Sequence, residues 1–505
     1  MVTTSMSERT APMTFAVINP ATGAEVGTHP IHTGADIAER LSQARLAQRW
    51  WADQGFAGRK RIMTRWIRWL ATHCEEIYEL GHQETARPIA DVQMEFVAGL
   101  EDVRWTAAHA RRVLAPRRVS PGLAMLNFAA DVSHEPLGVI GLITPWNVPI
   151  YTVLSGMACA LAAGNAVIVK PSELSAGAGA FVVESFYRAN PDVPAGLVSH
   201  VTGLGETGAA LCRSGVDKLA FTGSVPTGRR VMAACAERLT PVVLELGGKD
   251  ATIVATDADL DAAAKAVVWG AFFNAGQACV GVERVYVVRE VRDRFLGLVH
   301  GYAEQVTAGI EDGASYGPMI TPGQLETVKR HIDAALSAGA TALLGGHDSV
   351  RPPYVHPVVL VDVPEDNAAV TEETFGPILL INTVTDVDEA IARANGTAFG
   401  LGSSVFSRRH GATIARRLRA GGVTVNAVLS FVGMPSVPFG GVGESGFGRF
   451  HGEDGLREFT YARSTVRKRF ALGPEVQEFP RTAEQYDVVR QMIRVRYERR
   501  LRKQK

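Results

Sequence analysis

Cysteine is scarce in this chain of 505 residues: there are five, Cys74, Cys159, Cys212, Cys235 and Cys279. No two form a C-x-x-C pair and their number is odd, so neither a disulfide framework nor a cysteine zinc site is indicated. Net charge is also missing, with 52 Lys plus Arg against 52 Asp plus Glu. That balance removes the electrostatic motive for nucleic acid as a partner. The opening MVTTSMSERTAPMTF has no basic region followed by an apolar run, so no secretory leader is read. The most apolar stretch, residues 153–169, is broken by Gly164-Asn165. It reads as a buried helix, a turn and a buried strand rather than a membrane span. Internal repeats and low-complexity segments are absent, and a reducing cytoplasm is the expected compartment.

What is present is the composition of a folded protein, with 46% hydrophobic and 21% charged residues. The length suggests roughly three domain-sized units. Ile37, Leu41, Ala44 and Gln48 recur at helical spacing ahead of Trp50-Trp51. From about residue 137 the pattern becomes strand, turn and helix, repeated. GVIGLITPW, NAVIVKP, LVSHVTG and KLAFTG are short apolar runs closed by Gly, Pro or Thr. The helical segments between them predict parallel strands with crossover helices. A second such series starts near TIVATDADLDAAAKAV and continues to about residue 445. Two strand-like pieces, 118–136 and 460–470, stand outside both series.

Two motifs carry the chemistry, LELGGKDA (244–251) and FFNAGQAC (272–279), which place Glu245 and Cys279 34 residues apart. The first ends a strand with a carboxylate beside two glycines, which allow other groups to approach the backbone closely. The second ends a helix, with Thr256 and Asp257 as expected N-caps, and delivers one thiol. A thiol and a carboxylate brought together suit covalent catalysis with a general base. A free thiol has a pKa of about 8.5, so it needs local activation. Taken singly, a cysteine is more often a small core residue and a Glu a solvated one; the glycine-flanked pairing favours chemistry.

These motifs resemble the two signatures of the aldehyde dehydrogenase superfamily, in which the Glu is general base and the Cys nucleophile. Further segments match in the family's order. TPWNVP (144–149) resembles the oxyanion segment, implying Asn147 as the amide donor and Thr144, Pro145 and Trp146 beside the cofactor. KPSE (170–173) resembles the piece that holds the adenosine ribose, implying Lys170, Ser172 and Glu173. FTGSVPTG (221–228) resembles the turn at the pyrophosphate, implying Phe221, Gly223 and Ser224. Leu246 and Gly247, and Glu373 and Phe375 of EETFGP (372–377), fall where the family meets the nicotinamide ribose. PFGG (438–441) also matches. A literal G-x-G-x-x-G at Gly203, Gly205 and Gly208 is weak alone; the resemblance places Gly205 near the cofactor.

The resemblance covers roughly residues 15–470. It implies an α/β fold of aldehyde dehydrogenase type with a Rossmann-like cofactor domain (12–117 and 137–246). An α/β catalytic domain (247–445) and a small β oligomerisation arm (118–136 and 460–470) complete it, in a homodimer or homotetramer. The implied reaction oxidises an aldehyde to a carboxylic acid through a thioester on Cys279. A carboxylate at 173 accepts from free ribose hydroxyls and repels a 2′-phosphate, favouring NAD, with Lys170 softening the preference against NADP. No metal is expected. An intact Glu245 argues against a CoA-acylating relative, and the joint presence of Cys, Glu and Asn argues against a non-catalytic one.

Position relative to the motifs makes Val148, Tyr151, Trp269, Phe273, Val280, Phe431 and Phe439 the candidate substrate tunnel. An apolar, aromatic wall suits an aromatic or medium to long aliphatic aldehyde; Trp269 and Phe273, one helical turn apart, fit the core equally well. VPFGGVGESGFGRFHG resembles the fatty and aromatic aldehyde branch. INPATG resembles the branch that includes succinic semialdehyde dehydrogenases, which stands as the alternative. The tail, 471–505, extends past the resemblance. Residues 481–505 hold nine Arg or Lys against three acids, and Tyr486, Val489, Ile493, Tyr497 and Leu501 share a helical face. Docking on a neighbouring subunit is the favoured reading; contact with an anionic membrane surface is the other.

Overall fold

A computed structural model describes residues 13–122, 125–311, 313–471 and 479–498. After a hairpin of Thr14–Ile18 and Glu25–Pro30, four helices follow: Gly34–Asp53, Gly55–Thr72, Cys74–Thr85 and Ile89–Leu114. The first opens with a capping box, Thr33 and Asp36 each satisfying the other's backbone N–H. It buries Ile37, Ala44, Ala47 and Trp51 along one face.

The apolar runs read from the sequence form a six-stranded sheet. Its order is Gly446–Phe447, Val242–Glu245, Lys218–Thr222, Val139–Ile143, Ala166–Lys170 and Val198–His200. All neighbours are parallel except the short first strand. Every residue of Ala166–Lys170 is buried, as expected of a parallel strand covered on both faces. The later series forms a second sheet of seven strands, ordered Thr341–Leu344, Val358–Val361, Ile378–Val384, Arg284–Val288, Ala251–Val254, Gly402–Phe406 and Gly422–Val425. Only Thr341–Leu344 runs antiparallel. This is the expected mixed α/β class with parallel sheets.

The expected N-caps at Thr256 and Asp257 give way to Asp259, whose carboxylate accepts from the Ala262 N–H ahead of helix Leu260–Phe272. Asp257 is engaged elsewhere, accepting from the Arg409 N–H at 2.9 Å. A carboxylate caps only the helix whose amide it reaches, and sequence spacing does not reveal the competitor.

Contacts divide the chain into two units, 1–113 with 136–459, and 114–135 with 460–505. The second holds a three-stranded sheet ordered Thr460–Lys468, Phe128–Pro136 and Arg117–Val119, in which Arg463 pairs with Glu135 at 2.7 Å. Its helix Ala483–Ile493 opens on a Thr482–Gln485 capping box and ends in a π turn, Arg494–Glu498. Tyr486, Ile493 and Tyr497 are exposed, Val489 is half-buried, and Leu501 lies outside the described residues. Among the described residues no helix is long and apolar enough to cross a membrane.

One helix positions the site. Pro149–Ala163 is buried on nearly every side, which explains a sequence apolar all round. Its first amides are satisfied by a side chain from another helix. Glu95 Oε1 accepts from Ile150 N at 2.6 Å and Tyr151 N at 2.9 Å, while Glu95 Oε2 pairs with the fully buried Arg87. Replacing Glu95 by Ala would strand a buried guanidinium and two helix-start amides. Loss of one partner of a buried pair costs roughly 3–5 kcal/mol. The expected outcome is a clearly lower denaturation midpoint in urea, and a midpoint equal to wild type would contradict this account.

Candidate active site

The segment delivering Cys279 is a knot of local hydrogen bonds. After helix Leu260–Phe272 the chain turns through three left-handed residues, Asn274 (φ 53°), Ala275 (φ 54°) and Gly276 (φ 71°). Gly276 is required, because a Cβ there would overlap the Gly376 carbonyl. Asn274 Nδ2 donates to the carbonyls of Asn147 and Gln277, both at 3.1 Å. Gln277 Nε2 donates to Asn274 O and Pro318 O, and its Oε1 accepts from Ile320 N. Asn147 Nδ2 donates to Gln277 O at 3.0 Å. A carboxamide nitrogen carries two hydrogens, so one remains beside the Cys279 loop.

Glu245 ends the strand Val242–Glu245 and is buried. The chain leaves that strand through two glycines and packs on the cysteine loop: a Cβ on Gly248 would lie 2.6 Å from the Cys279 carbonyl oxygen. The next residue, Lys249, is wholly buried and paired with Glu283. Glu283 in turn accepts from the N–H groups of Thr374 and Phe375 at 2.9–3.0 Å. Lys249 also donates to Thr374 Oγ1 at 3.0 Å, and Gly248 N donates to Glu373 Oε1 at 3.0 Å. The Glu373–Phe375 segment is thereby tied to the Glu245 motif. The sequence reading missed Glu283 and gave Lys249 no part, although Lys249 stands inside the first motif and Glu283 just beyond the second.

Burial sets the electrostatics. It raises Glu245 to about 8, and the adjoining Cys279 thiol offsets this only partly. Asp250 and Glu373 are likewise raised to about 8, chiefly by burial. The Cys279 thiol is pushed well above its ordinary value, first by burial and then by the charges of Glu245, Asp250 and Glu373. In the free protein the thiol therefore holds its proton at neutral pH.

A cavity of about 800 Å³ connects these groups. Its wall includes Cys279, Glu245 and Asn147. Of the expected cofactor residues it takes in Pro145, Trp146, Gly223, Ser224, Leu246, Gly247, Glu373 and Phe375, and of the expected tunnel Val148, Tyr151, Trp269, Phe273, Val280 and Phe439. Trp269 is 45% exposed and sits 5.3 Å from the Phe273 ring, so it is not core. Phe431 lies outside the wall, stacked against Phe439 at 5.9 Å.

Thr144, Lys170, Ser172, Glu173, Gly205 and Phe221 also lie outside that wall, around the carboxyl ends of the strands. Lys170 ends its strand and sits 3.5 Å from Glu173. Ser172 accepts from Leu174 N, and Gly205 opens an exposed turn of helix Gly205–Arg213. Phe221 is buried in Lys218–Thr222. Thr144 Oγ1 is buried without a partner. Ser224 occupies the N-cap position of helix Val225–Ala236 at the strand-to-helix turn, its hydroxyl donating to Thr227 Oγ1 at 3.1 Å. Helix-start amides, a lysine, a carboxylate and an orphaned hydroxyl at strand carboxyl ends fit the phosphates and ribose of a dinucleotide.

Parallel strands end around a cavity lined by a thiol, a carboxylate and an amide, and the proteins that the chain resembles are NAD(P)-dependent oxidoreductases. More particularly, residues 7–465 match the model of the aldehyde dehydrogenase family, and the chain belongs to that family. It is 38% identical over 459 residues to a putative succinate-semialdehyde dehydrogenase [NADP(+)] of Mycolicibacterium smegmatis, covering 89% of this chain and 87% of that protein. To 4,4′-diapolycopene aldehyde oxidase of Methylomonas sp it is 36% identical over 482 residues, with 94% and 89% covered. The crystal structure of an NAD-dependent aldehyde dehydrogenase from Sinorhizobium meliloti superposes with a TM-score of 0.87 at 32% identity, covering 92% of this chain and 93% of that one. The protein is an aldehyde dehydrogenase.

The electrostatics predict slow alkylation of Cys279 by iodoacetamide in the cofactor-free protein at pH 7, rising only above the ordinary thiol range. At pH 9, where Glu245 is ionised, Glu245→Gln should accelerate the reaction. A half-maximal rate at or below the free-thiol value of about 8.5 would contradict this.

Proposed function

We propose that Cys279 is the nucleophile, Asn147 the oxyanion donor and Glu245 the base of an NAD-preferring dehydrogenase for aromatic or medium to long aliphatic aldehydes. The observation that carries this reading is the meeting of the three groups in one largely apolar cavity. Glu245, hydrogen-bonded to the thiol, takes its proton and passes it to solvent, and the sulfur attacks the aldehyde carbon, giving an alkoxide. The free N–H of Asn147 and the Cys279 backbone N–H stabilise that alkoxide; such a donor is worth about 10²–10³ in rate. The chemistry a bound NAD would supply is acceptance of the hydride from this carbon, which would leave Cys279 as a thioester. Glu245 then removes a proton from water, which attacks the thioester and frees the acid and the thiol. A carboxyl raised to about 8 is uncharged at low pH and becomes a base as pH climbs through that value, close to the operating range a general base needs.

Lys170, Ser172, Glu173, Phe221, Gly223 and Ser224 would hold the adenosine and phosphates, with Thr144 and Gly205 at the edges of that surface. Glu373 and Phe375 would hold the nicotinamide ribose. The half-exposed carboxylate of Glu173 favours NAD, and replacing it by Ser should shift preference toward NADP. The semialdehyde reading is supported by the mycobacterial relative. Against it, the single guanidinium of the described wall, Arg330, is paired with Glu372 at 2.7 Å.

A largely exposed strand such as Thr460–Lys468 needs a partner to cover its edge, which supports a homodimer or homotetramer through residues 118–136 and 460–470. Light scattering should give a multiple of 54.1 kDa; a monomer at micromolar concentration would refute it. The unpaired cysteines support a reducing, cytoplasmic setting.

Glu245→Gln should release about one reduced cofactor per site and then stall as the thioester; normal steady turnover would assign the base elsewhere. The substrate class is tested by kcat/KM for benzaldehyde, decanal and succinic semialdehyde with NAD and with NADP. Benzaldehyde or decanal with NAD is expected to lead, and preference for the semialdehyde or for NADP would overturn the respective assignment.

A further inference from the structure

Apart from Cys279, Glu245 and Asn147, the cavity wall carries a polar cluster centred on His451. His451 Nε2 lies 2.8 Å from the Tyr151 hydroxyl, 2.8 Å from Ser155 Oγ and 2.9 Å from Asp102 Oδ2. Tyr151, Ser155 and His451 all line the cavity that holds Cys279, and Asp102 stands behind them, 4% exposed. An imidazole nitrogen carries either one hydrogen or one lone pair, so it satisfies one of three converging oxygens. Tyr151 has a second outlet, the Val432 carbonyl at 3.2 Å. His451 Nδ1 is buried with no hydrogen-bond partner among the described residues. The node is thus oversupplied with polar atoms for the bonds available within the protein.

Its cost is visible in the backbone as well. His451 has φ 58° and ψ 167°, a combination that residues with a β-carbon rarely adopt and that concentrates at ligand-holding sites. Phe439, another wall residue, stacks on the imidazole at 5.5 Å and fixes its plane. Buried polar atoms left short of partners beside a cavity are accounted for when a ligand completes them.

We propose that Tyr151, Ser155 and His451, backed by Asp102, form a hydrogen-bonding subsite for an oxygen substituent on the aldehyde, set apart from the reacting carbon. Tyr151 and Ser155 are one turn apart on helix Pro149–Ala163, about 6 Å of rise, and the chain reaches that helix directly from Asn147. A ring hydroxyl opposite the aldehyde group, or a hydroxyl at the end of a short aliphatic aldehyde, has the reach this spacing calls for. The inference rests on the aromatic or aliphatic aldehyde reading above and narrows it to oxygen-bearing members.

The test is steady-state kinetics on matched pairs, 4-hydroxybenzaldehyde with benzaldehyde and 6-hydroxyhexanal with hexanal, for wild type, Tyr151→Phe and Ser155→Ala. In wild type the hydroxylated member of at least one pair is expected to lead in kcat/KM by about tenfold or more, because a site built to bond a hydroxyl rejects the analogue lacking it. In each variant that ratio should fall toward one. A purely structural role would lower both members together and leave the ratio unchanged, which overturns the subsite. A wild-type ratio near one in both pairs does the same. If wild type turns over no member of either pair but oxidises succinic semialdehyde, the broader substrate reading fails with it.

Discussion

The contact of Gly248 with the Cys279 loop is the constraint on which the site depends. Glu245 ends a strand of the six-stranded sheet, whereas Cys279 precedes the Arg284–Val288 strand of the seven-stranded one. The thiol and the carboxylate face each other because the chain leaving Glu245 lies directly on the Cys279 backbone. Any side chain at 248 would meet the Cys279 carbonyl oxygen at 2.6 Å, so the approach needs glycine. Gly276 permits a second close approach on the other side of the loop, against Gly376. Two missing β-carbons thus hold the Cys279 thiol, the Glu245 carboxylate and the Glu373–Phe375 segment in register.

Packing this tight has an electrostatic consequence. Glu245, Asp250, Glu283 and Glu373 are brought around one buried lysine, Lys249, and one thiol. Burial disfavours each charge, which explains why two of the carboxyls beside the thiol, and Glu245 itself, are raised together. Burial and these neighbouring carboxyls favour the protonated Cys279 thiol over the thiolate. Lys249–Glu283 serves a different end: its bonds to Thr374 and Phe375 carry order from the Cys279 region to the surface proposed for the cofactor.

Across the cavity, helix Pro149–Ala163 carries the opposing wall. Its start is held by Glu95 and Arg87, and its inner face presents Tyr151 and Ser155 to His451. The same rigid element thus joins the Asn147 turn to the polar node. A substrate gripped at the node would be aligned with the oxyanion position by one helix, without a mobile loop between them.

By itself the sequence determined the elements and the chemical vocabulary. Short apolar runs closed by Gly, Pro or Thr became parallel strands because a strand covered on both faces needs continuous apolar residues. The run through residues 153–169, broken at Gly164, became a buried helix and a buried strand. Glycine-flanked motifs named Cys279 and Glu245, and the resemblance of TPWNVP (144–149) named Asn147. Tertiary structure decided which other polar groups share their space. Ser155 and His451 are 296 residues apart, and Asn147 and Gln277 are 130 apart. Neither His451 nor Asp102 stands in a pattern that local periodicity can flag. Periodicity reports which face of an element is apolar, over a few turns of chain. Which two faces meet is fixed by sheet order and by close backbone approaches, and those depend on contacts hundreds of residues apart.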